Sequence, residues 1–342
     1  MRAGEARTVG RTGLKVTALG MGTAAMGGLY APVSADASLA ALKAAWQAGI
    51  RHFDSAPMYG LGRAEHLLGH FLREKTDTAA TFTVSTKVGR LMARERPGRD
   101  LPPAPPKNPL DSGWHNGLPF REVFDYSYDA IMRSFDDSAQ RTGLERLDLL
   151  FVHDIGTVTH GVAQVTHWMA LTKGGGFRAL EELRAAGLIR GFGLGVNEAD
   201  IVLDAMNEAA LDCALLAGRH TLLEQNALTL LDKAQEVGMG IMIGGVFNSG
   251  ILAGGPGGHR KFNYQDVPEA VGIRVKALSE ICERFGVPLS AAAIQYPLRH
   301  PAVTTVLIGP RDAEQVRQNI GWFEQDVPGE LWKALQHEGL VA

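Results

Sequence analysis

Apolar residues in this chain come as short runs separated by longer stretches of helical spacing. The runs fall at residues 19–22, 50–53, 82–86, 148–152, 191–195, 213–217, 240–244 and 304–308. Each is too short for a helix and is bounded by turn-forming residues, so each predicts a buried strand. Between them the period changes. Leu39, Leu42 and Trp46 before Gly49, and Ala179, Leu180 and Leu183 before Gly187, place apolar side chains on one helical face and end in glycine. Eight strands alternating with helices imply parallel pairing, and eight is the number that closes a barrel. The expected fold is an α/β (β/α)8 TIM barrel, with residues 1–342 as one barrel domain. Ahead of the first core strand, residues 7–17 alternate around glycine-rich turns, which predicts an N-terminal β-hairpin.

Three connections, at residues 91–120, 154–173 and 248–267, are longer than joining two elements requires. All leave the carboxyl ends of strands, so they are expected as long βα loops covering substrate and cofactor. The first is Pro-rich and carries Trp114 and His115, so part of it also reads as a rigid spacer. Gly20-Met21-Gly22-Thr23-Ala24-Ala25 has the spacing of a dinucleotide fingerprint, but no helix starts there. Gly27, Gly28 and Pro32 follow, and the next helix cap is Ser34, so the segment reads as a glycine-rich strand-to-helix loop.

Composition narrows the function classes. A length of 342 residues suits either two domains or one α/β barrel, so it does not decide alone. With 45% hydrophobic and 21% charged residues and a net charge of −3, the chain reads as an ordinary soluble globular protein. It lacks the basic excess that nucleic acid or an anionic membrane would call for. No apolar leader and no membrane-length stretch occur, so the expected location is cytoplasmic. Cys213 and Cys282 lie among apolar residues and are expected as buried thiols. The eleven histidines include no His-Glu-x-x-His pair, His153-Asp154 alone is too little for a metal site, and no Gly-x-Ser-x-Gly elbow occurs. No metal is expected.

Four polar residues stand just after apolar runs, where a parallel barrel would gather them on one rim: Asp54, Tyr59, Lys87 and His153. A carboxylate, a phenol five residues later and a lysine from another strand end form a proton-transfer unit, because an ammonium beside a phenol favours phenolate. Singly, each fits a plainer role: a core tyrosine with a wet hydroxyl, a satisfied core histidine, a salt bridge. Spacing by itself supports only a polar barrel rim.

These four residues, in this order and setting, resemble the tetrad of the aldo-keto reductases. The likeness extends through Asp-Ser-Ala-Pro-Met-Tyr-Gly (54–60), Ser-Thr-Lys-Val-Gly-Arg (85–90), Arg-Leu-Asp-Leu-Leu-Phe-Val-His-Asp (146–154) and Gly-Leu-Gly-Val-Asn-Glu (193–198). It continues in Gly-Arg-His-Thr-Leu-Leu-Glu-Gln (218–225), Phe-Asn-Ser-Gly-Ile-Leu (247–252) and Ile-Gly-Pro-Arg-Asp-Ala-Glu-Gln (308–315). The branch most similar is that of the D-threo-aldose (L-fucose) 1-dehydrogenases and pyridoxal 4-dehydrogenases.

The resemblance implies an NAD(P)-dependent oxidoreductase that oxidises the anomeric carbon of an aldose such as L-fucose to a lactone. The alternatives are oxidation of pyridoxal to its lactone and a cofactor-binding regulatory barrel without turnover. Tyr59 would move the substrate proton once Lys87 has brought its pKa toward working pH. Asp54 would hold Lys87, and His153 would orient the substrate oxygen. Cofactor contacts are implied at Gly22, Thr23, Asp54, Asn197, Phe247, Asn248, Ser249, Gly250, Leu252, Ile308, Gly309, Arg311, Gln315, Gln318 and Asn319.

Two positions depart from the family. Asn197 and Glu198 stand where a Ser-Asn pair usually binds the nicotinamide carboxamide, and His220 follows Arg219 where this branch commonly has tyrosine. Members preferring NADP commonly carry a basic residue where Gln315 stands and often another at Gly309. NAD is therefore expected over NADP, with Arg311 as the opposing cation. The expected partner is a small sugar or a pyridoxal-like molecule; oligomeric state is not legible.

Overall fold

The computed structural model describes residues 1–75, 81–95, 113–254, 261–262 and 265–342. Eight parallel strands close a barrel: β1 (Leu19–Gly22), β2 (His52–Asp54), β3 (Thr83–Val88), β4 (Leu149–His153), β5 (Gly191–Val196), β6 (Cys213–Ala217), β7 (Gly240–Gly244) and β8 (Val303–Ile308). Each strand pairs with its neighbours in sequence, and β8 returns to β1. All eight expected runs are strands.

Alternation along the strands decides what reaches the barrel interior. Leu149, Phe151, Cys213, Leu215, Met242 and Leu307 fill the interior, whereas Leu150, Val152, Ala214, Leu216, Ile243 and Val306 join the core beneath the surrounding helices. Every second residue therefore faces inward. On that parity Asp54, Lys87, His153 and Asn197 all face the interior, at or just beyond the carboxyl ends of β2, β3, β4 and β5. The opposite end is closed by the hairpin Ala6–Thr8 with Lys15–Thr17, whose Val9 and Val16 complete the interior cluster.

The glycine-rich segment after β1 forms a short 3-10 turn, Ala24–Gly27, and the helix Ala35–Gln47 starts after Ser34, whose hydroxyl accepts from the Ala37 amide. This is a loop, as the punctuation indicated. Residues 154–173 correct the loop expectation, because they hold helices Thr157–His160 and Gln164–Thr172. In the other two long connections, Arg90–Ala93 pairs with Arg121–Phe124, Ile251–Gly254 is helical, and Lys261–Phe262 pairs with Gln265–Asp266. Residues 96–112, 255–260 and 263–264 lie outside the described residues.

Candidate active site

Asp54 ends β2, and register sets it beside Ser85 of β3, with Lys87 two residues further along the same inward face. Asp54 accepts from the Ser85 hydroxyl at 2.7 Å and from Lys87 Nζ at 2.7 Å, and Lys87 also donates to the Ser55 carbonyl at 2.8 Å. Burial alone would lower Lys87, but Asp54 and Tyr59 raise it above the ordinary lysine value, so it stays charged. Burial pushes Asp54 up while Lys87 and Ser85 pull it back. The pair stays ionised because neutralising either member would strand the other charge in the interior. Gly195 of β5 leaves room for the lysine stem: a Cβ there would meet Phe151 Cβ at 3.1 Å and Lys87 Cε at 3.4 Å.

Tyr59 leaves the turn after β2, with Lys87 Nζ 4.7 Å from its ring centroid and the His153 ring edge-on at 6.0 Å. The sequence reading expected Lys87 to bring this phenol toward working pH. The structure corrects that: burial raises it, and Lys87, its charge already paired with Asp54, opposes the rise without reversing it.

His153 closes β4. Burial, then Arg90 and Lys87, hold it well below the ordinary histidine value, so the ring is neutral near pH 7. The next residue, Asp154, has a left-handed backbone with φ of +46°. Its carboxylate pairs with Arg90 Nη2 at 2.5 Å and accepts from Asn197 Nδ2 at 3.2 Å, and its amide donates to the Gly195 carbonyl at 2.9 Å. Arg90 is itself buried, between Asp154, Glu122 at 3.2 Å and the face of Phe124. Sequence reasoning singled out neither Arg90 nor Asp154 for the site. Both lie inside the motifs at 85–90 and 146–154, but nothing local in the sequence pairs them.

The side chains enclose one cavity. Tyr59, Lys87, His153, Asp154 and Asn197 supply its polar side, while Leu29, Met58, Trp114, Val196 and Leu215 supply apolar walls. Trp114, delivered by a bridge to Leu29, lies 5.7 Å from the Tyr59 ring. Asn116 fastens the same segment by accepting from the Val33 amide at 2.7 Å. The described part of the 91–120 connection, which the sequence left open between cover and spacer, thus brings Trp114 over the site.

The residues implied for cofactor contact divide into two groups. Asn197 faces the cavity beside the tetrad. Asn248 donates to Glu224 Oε2 at 2.7 Å, and its own Oδ1 is buried with no partner among the described residues. Asn248, Ser249 and Gly250 share left-handed backbones, so Phe247–Leu252 winds as a tight turn past β7. Beyond β8, a Cβ on Gly309 would meet nothing, and helix Ala313–Glu324 opens its amino terminus with Asp312 as cap. An orphaned amide oxygen, a tight backbone turn and an open helix amino terminus fit a dinucleotide laid from the cavity across this rim.

Four residues have other local roles. The Thr23 hydroxyl is buried and donates to Ser55 at 2.9 Å. The Gln315 side chain accepts from the Arg311 amide at 3.0 Å, completing a cap with Asp312. Glu198 accepts from the Thr157 hydroxyl at 2.9 Å and the Val158 amide at 3.2 Å, capping helix Thr157–His160. His220 packs on Tyr296 at 5.2 Å and lies outside the cavity lining. The two departures from the family therefore carry loop and core packing. Among the described residues no group of three or more His, Cys, Asp or Glu could hold a metal, and no helix is long and apolar enough to cross a membrane.

Comparison with known proteins places this geometry. The Aldo/keto reductase family pattern matches residues 18–337. A pyridoxal 4-dehydrogenase of Microbacterium luteolum is 62% identical over 343 residues, covering 100% of this chain and 99% of that protein. A D-threo-aldose 1-dehydrogenase of Pseudomonas sp is 38% identical over 331 residues, covering 96% of each. Among solved structures, an aldo-keto reductase of Bacillus halodurans in its holo form superposes with a TM-score of 0.71 at 21% identity. That match covers 99% of this chain and 96% of the other, and it speaks to the fold. With the match running through nearly the whole barrel, the chain belongs to the aldo/keto reductase family and is an oxidoreductase.

Proposed function

We propose that this protein is a pyridoxal 4-dehydrogenase, oxidising the internal hemiacetal of pyridoxal to its lactone with NAD. The observation that carries the reading is the division of the cavity, in which polar groups gather on the tetrad side and Leu29, Met58, Trp114 and Leu215 form apolar walls. A flat heteroaromatic ring suits such walls, offering faces to stack and one reacting edge. A sugar carries hydroxyls around its whole ring and would leave several facing apolar surface. The relative at 62% identity supports the same choice. Oxidation of an aldose such as L-fucose, ranked first on sequence, becomes the second reading, supported by the relative at 38%. A barrel without turnover would not need the four residues to converge.

In this reading the lactol hydroxyl lies against Tyr59 and His153. When bound, an oxidised nicotinamide would supply the hydride acceptor. The lactol carbon loses hydride, its hydroxyl gives a proton to Tyr59, and the carbon-oxygen bond becomes the lactone carbonyl. Lys87 stabilises the phenolate that takes the proton, and Asp54 holds Lys87 in place. Neutral His153 hydrogen-bonds the substrate oxygen without adding charge. Trp114 shields the reacting atoms from water.

The choice of NAD rests on the helix amino terminus after β8. There Asp312 caps the first turn and Gln315 is neutral where NADP-preferring members of the family commonly carry a cation, which supports NAD, with Arg311 as the opposing charge. The test is production of reduced nicotinamide from NAD in parallel with pyridoxal, L-fucose, D-arabinose and L-galactose. Turnover of pyridoxal in marked preference to the sugars is expected. Turnover of a sugar alone would move the assignment to aldose 1-dehydrogenase, and silence throughout, with NADP as well, would remove the dehydrogenase reading.

A further inference from the structure

We propose that Asp154 holds the Asn197 amide in one orientation, so that this point of the cavity offers an acceptor and no donor and selects a cofactor ring carrying an N–H2 group. The proposal rests on the nicotinamide-dependent reading of the site and assigns a positioning residue within it.

Most polar groups around the cavity are already committed. Lys87 is bound by Asp54 and the Ser55 carbonyl, Tyr59 and His153 face the reacting oxygen, and Asp154 is bound by Arg90. Of the lining residues from β5 and β6 and the position after β5, namely Gly195, Val196, Asn197, Leu215 and Ala217, only Asn197 has a polar side chain. Its neighbour Glu198 caps helix Thr157–His160 instead. Recognition on this side of the cavity therefore falls to one amide.

A side-chain amide has a donor end and an acceptor end, and it can be turned over with almost no change of shape. Here the neighbour decides. An ionised carboxylate only accepts, so the end of Asn197 that meets Asp154 Oδ1 at 3.2 Å is Nδ2. That leaves Oδ1, which no described residue engages, for the cavity that Asn197 lines.

Asp154 is itself held. Arg90 Nη2 binds its other carboxylate oxygen at 2.5 Å, and its amide donates to the Gly195 carbonyl at 2.9 Å, two residues before Asn197. Its left-handed backbone persists only where neighbours over-determine it. Arg90 is pinned in turn by Glu122 at 3.2 Å and by the face of Phe124. The pairing keeps Asp154 ionised, because a neutral carboxyl would strand the buried Arg90 charge. Asp154 thus acts through Asn197, as a positioning residue.

A dinucleotide laid across the rim of β7 and β8 brings its nicotinamide into this cavity, and the group on that ring able to meet an acceptor is the carboxamide N–H2. A methyl group in its place makes no hydrogen bond and leaves the Asn197 oxygen unsatisfied beside it. An amide tethered at Nδ2 does not turn over to compensate.

The test is titration calorimetry of the full chain with three oxidised dinucleotides and no substrate. NAD carries the carboxamide. Its 3-acetylpyridine analogue exchanges the N–H2 for a methyl group and keeps the carbonyl oxygen, whereas its thionicotinamide analogue keeps the N–H2 and exchanges that oxygen for sulfur. The wild type should bind the acetylpyridine analogue about tenfold more weakly than NAD, and the thionicotinamide analogue about as well as NAD. In Asn197→Ala, NAD should fall to the level of the acetylpyridine analogue. In Asp154→Asn, whose own amide can serve either end of Asn197, the preference for NAD should shrink to about threefold or less. Asp154→Ser relaxes the same choice and stands in if Asp154→Asn fails to fold. A merely structural role would weaken all three cofactors together, so unchanged ratios in the Asp154 variants would overturn the proposal. Equal wild-type binding of NAD and the acetylpyridine analogue, or a loss confined to the thionicotinamide analogue, would overturn it too. These outcomes leave the dehydrogenase reading standing; if no dinucleotide binds, NADP included, that reading falls and the proposal with it.

Discussion

Tyr59 carries the largest demand on any single side chain, because it must take a proton at a site whose burial favours the neutral phenol. A Tyr59→Phe protein keeps the ring against Trp114 and His153 and loses only the oxygen. It should lose at least about a hundredfold in kcat, the usual weight of a positioned acid or base. NAD affinity, read by quenching of tryptophan fluorescence, should be retained, and unchanged turnover would remove Tyr59 from its role. Asp54, Tyr59, Lys87 and His153 were legible as a polar rim because each follows an apolar run, and as a tetrad only through the likeness of the motifs around them to the family; the inward parity of Asp54, Lys87 and His153 follows from counting along their strands. The Arg90–Asp154 pair was not, since its partners lie 64 residues apart and neither sits in an unusual local pattern. Trp114 was read only as part of a long connection, because nothing in its neighbourhood names Leu29 as its bridge partner.

Helix Ala313–Glu324 shows how one position serves both an element and a ligand. Spacing placed Gln315 and Asn319 on one face, and the structure adds that Gln315 binds the Arg311 amide while Asp312 accepts from the Gln315 amide. Gln315→Arg should therefore do two things. It should shift the ratio of kcat/KM for NADP over NAD upward by roughly tenfold through a new phosphate partner, and lower stability to urea by about 0.5–1 kcal/mol through the lost cap contact. An unchanged cofactor ratio would show that selectivity resides elsewhere. The helices within residues 154–173 escaped the sequence reading for a physical reason. In helix Gln164–Thr172 only Leu171 is buried, while Val158, Val162, Val165 and Met169 along this segment are exposed. Apolar residues there mark the outside, the reverse of what a search for an amphipathic face assumes.

Across the whole molecule, the closed barrel followed from eight apolar runs, because parallel strands covered on both faces leave an unbroken hydrophobic signature. The same closure buries titratable groups below the site. His52, facing inward one layer beneath Asp54, is depressed by burial and by Lys87 to about 3. Between that value and the ordinary histidine range near 6.5, the unfolded chain binds a proton that the fold refuses, so stability falls as pH drops through this window. The raised carboxylates Asp54 and Asp154 act in the opposite sense, so a difference between variants isolates the histidine. His52→Leu should lose less Tm than wild type between neutral pH and pH 5, with the slope reduced by up to about 1.4 kcal/mol per pH unit. Parallel curves would mean that His52 does not titrate in that window.

The hairpin at the amino-terminal end has a consequence for traffic. With Val9 and Val16 seated on Phe151, Leu215 and Met242, the barrel is a cup with a floor, and nothing passes through its axis. Whatever reaches Tyr59 arrives over the rim and departs over the same rim. Two molecules sharing such a doorway must come and go by the same side, each in the other's way.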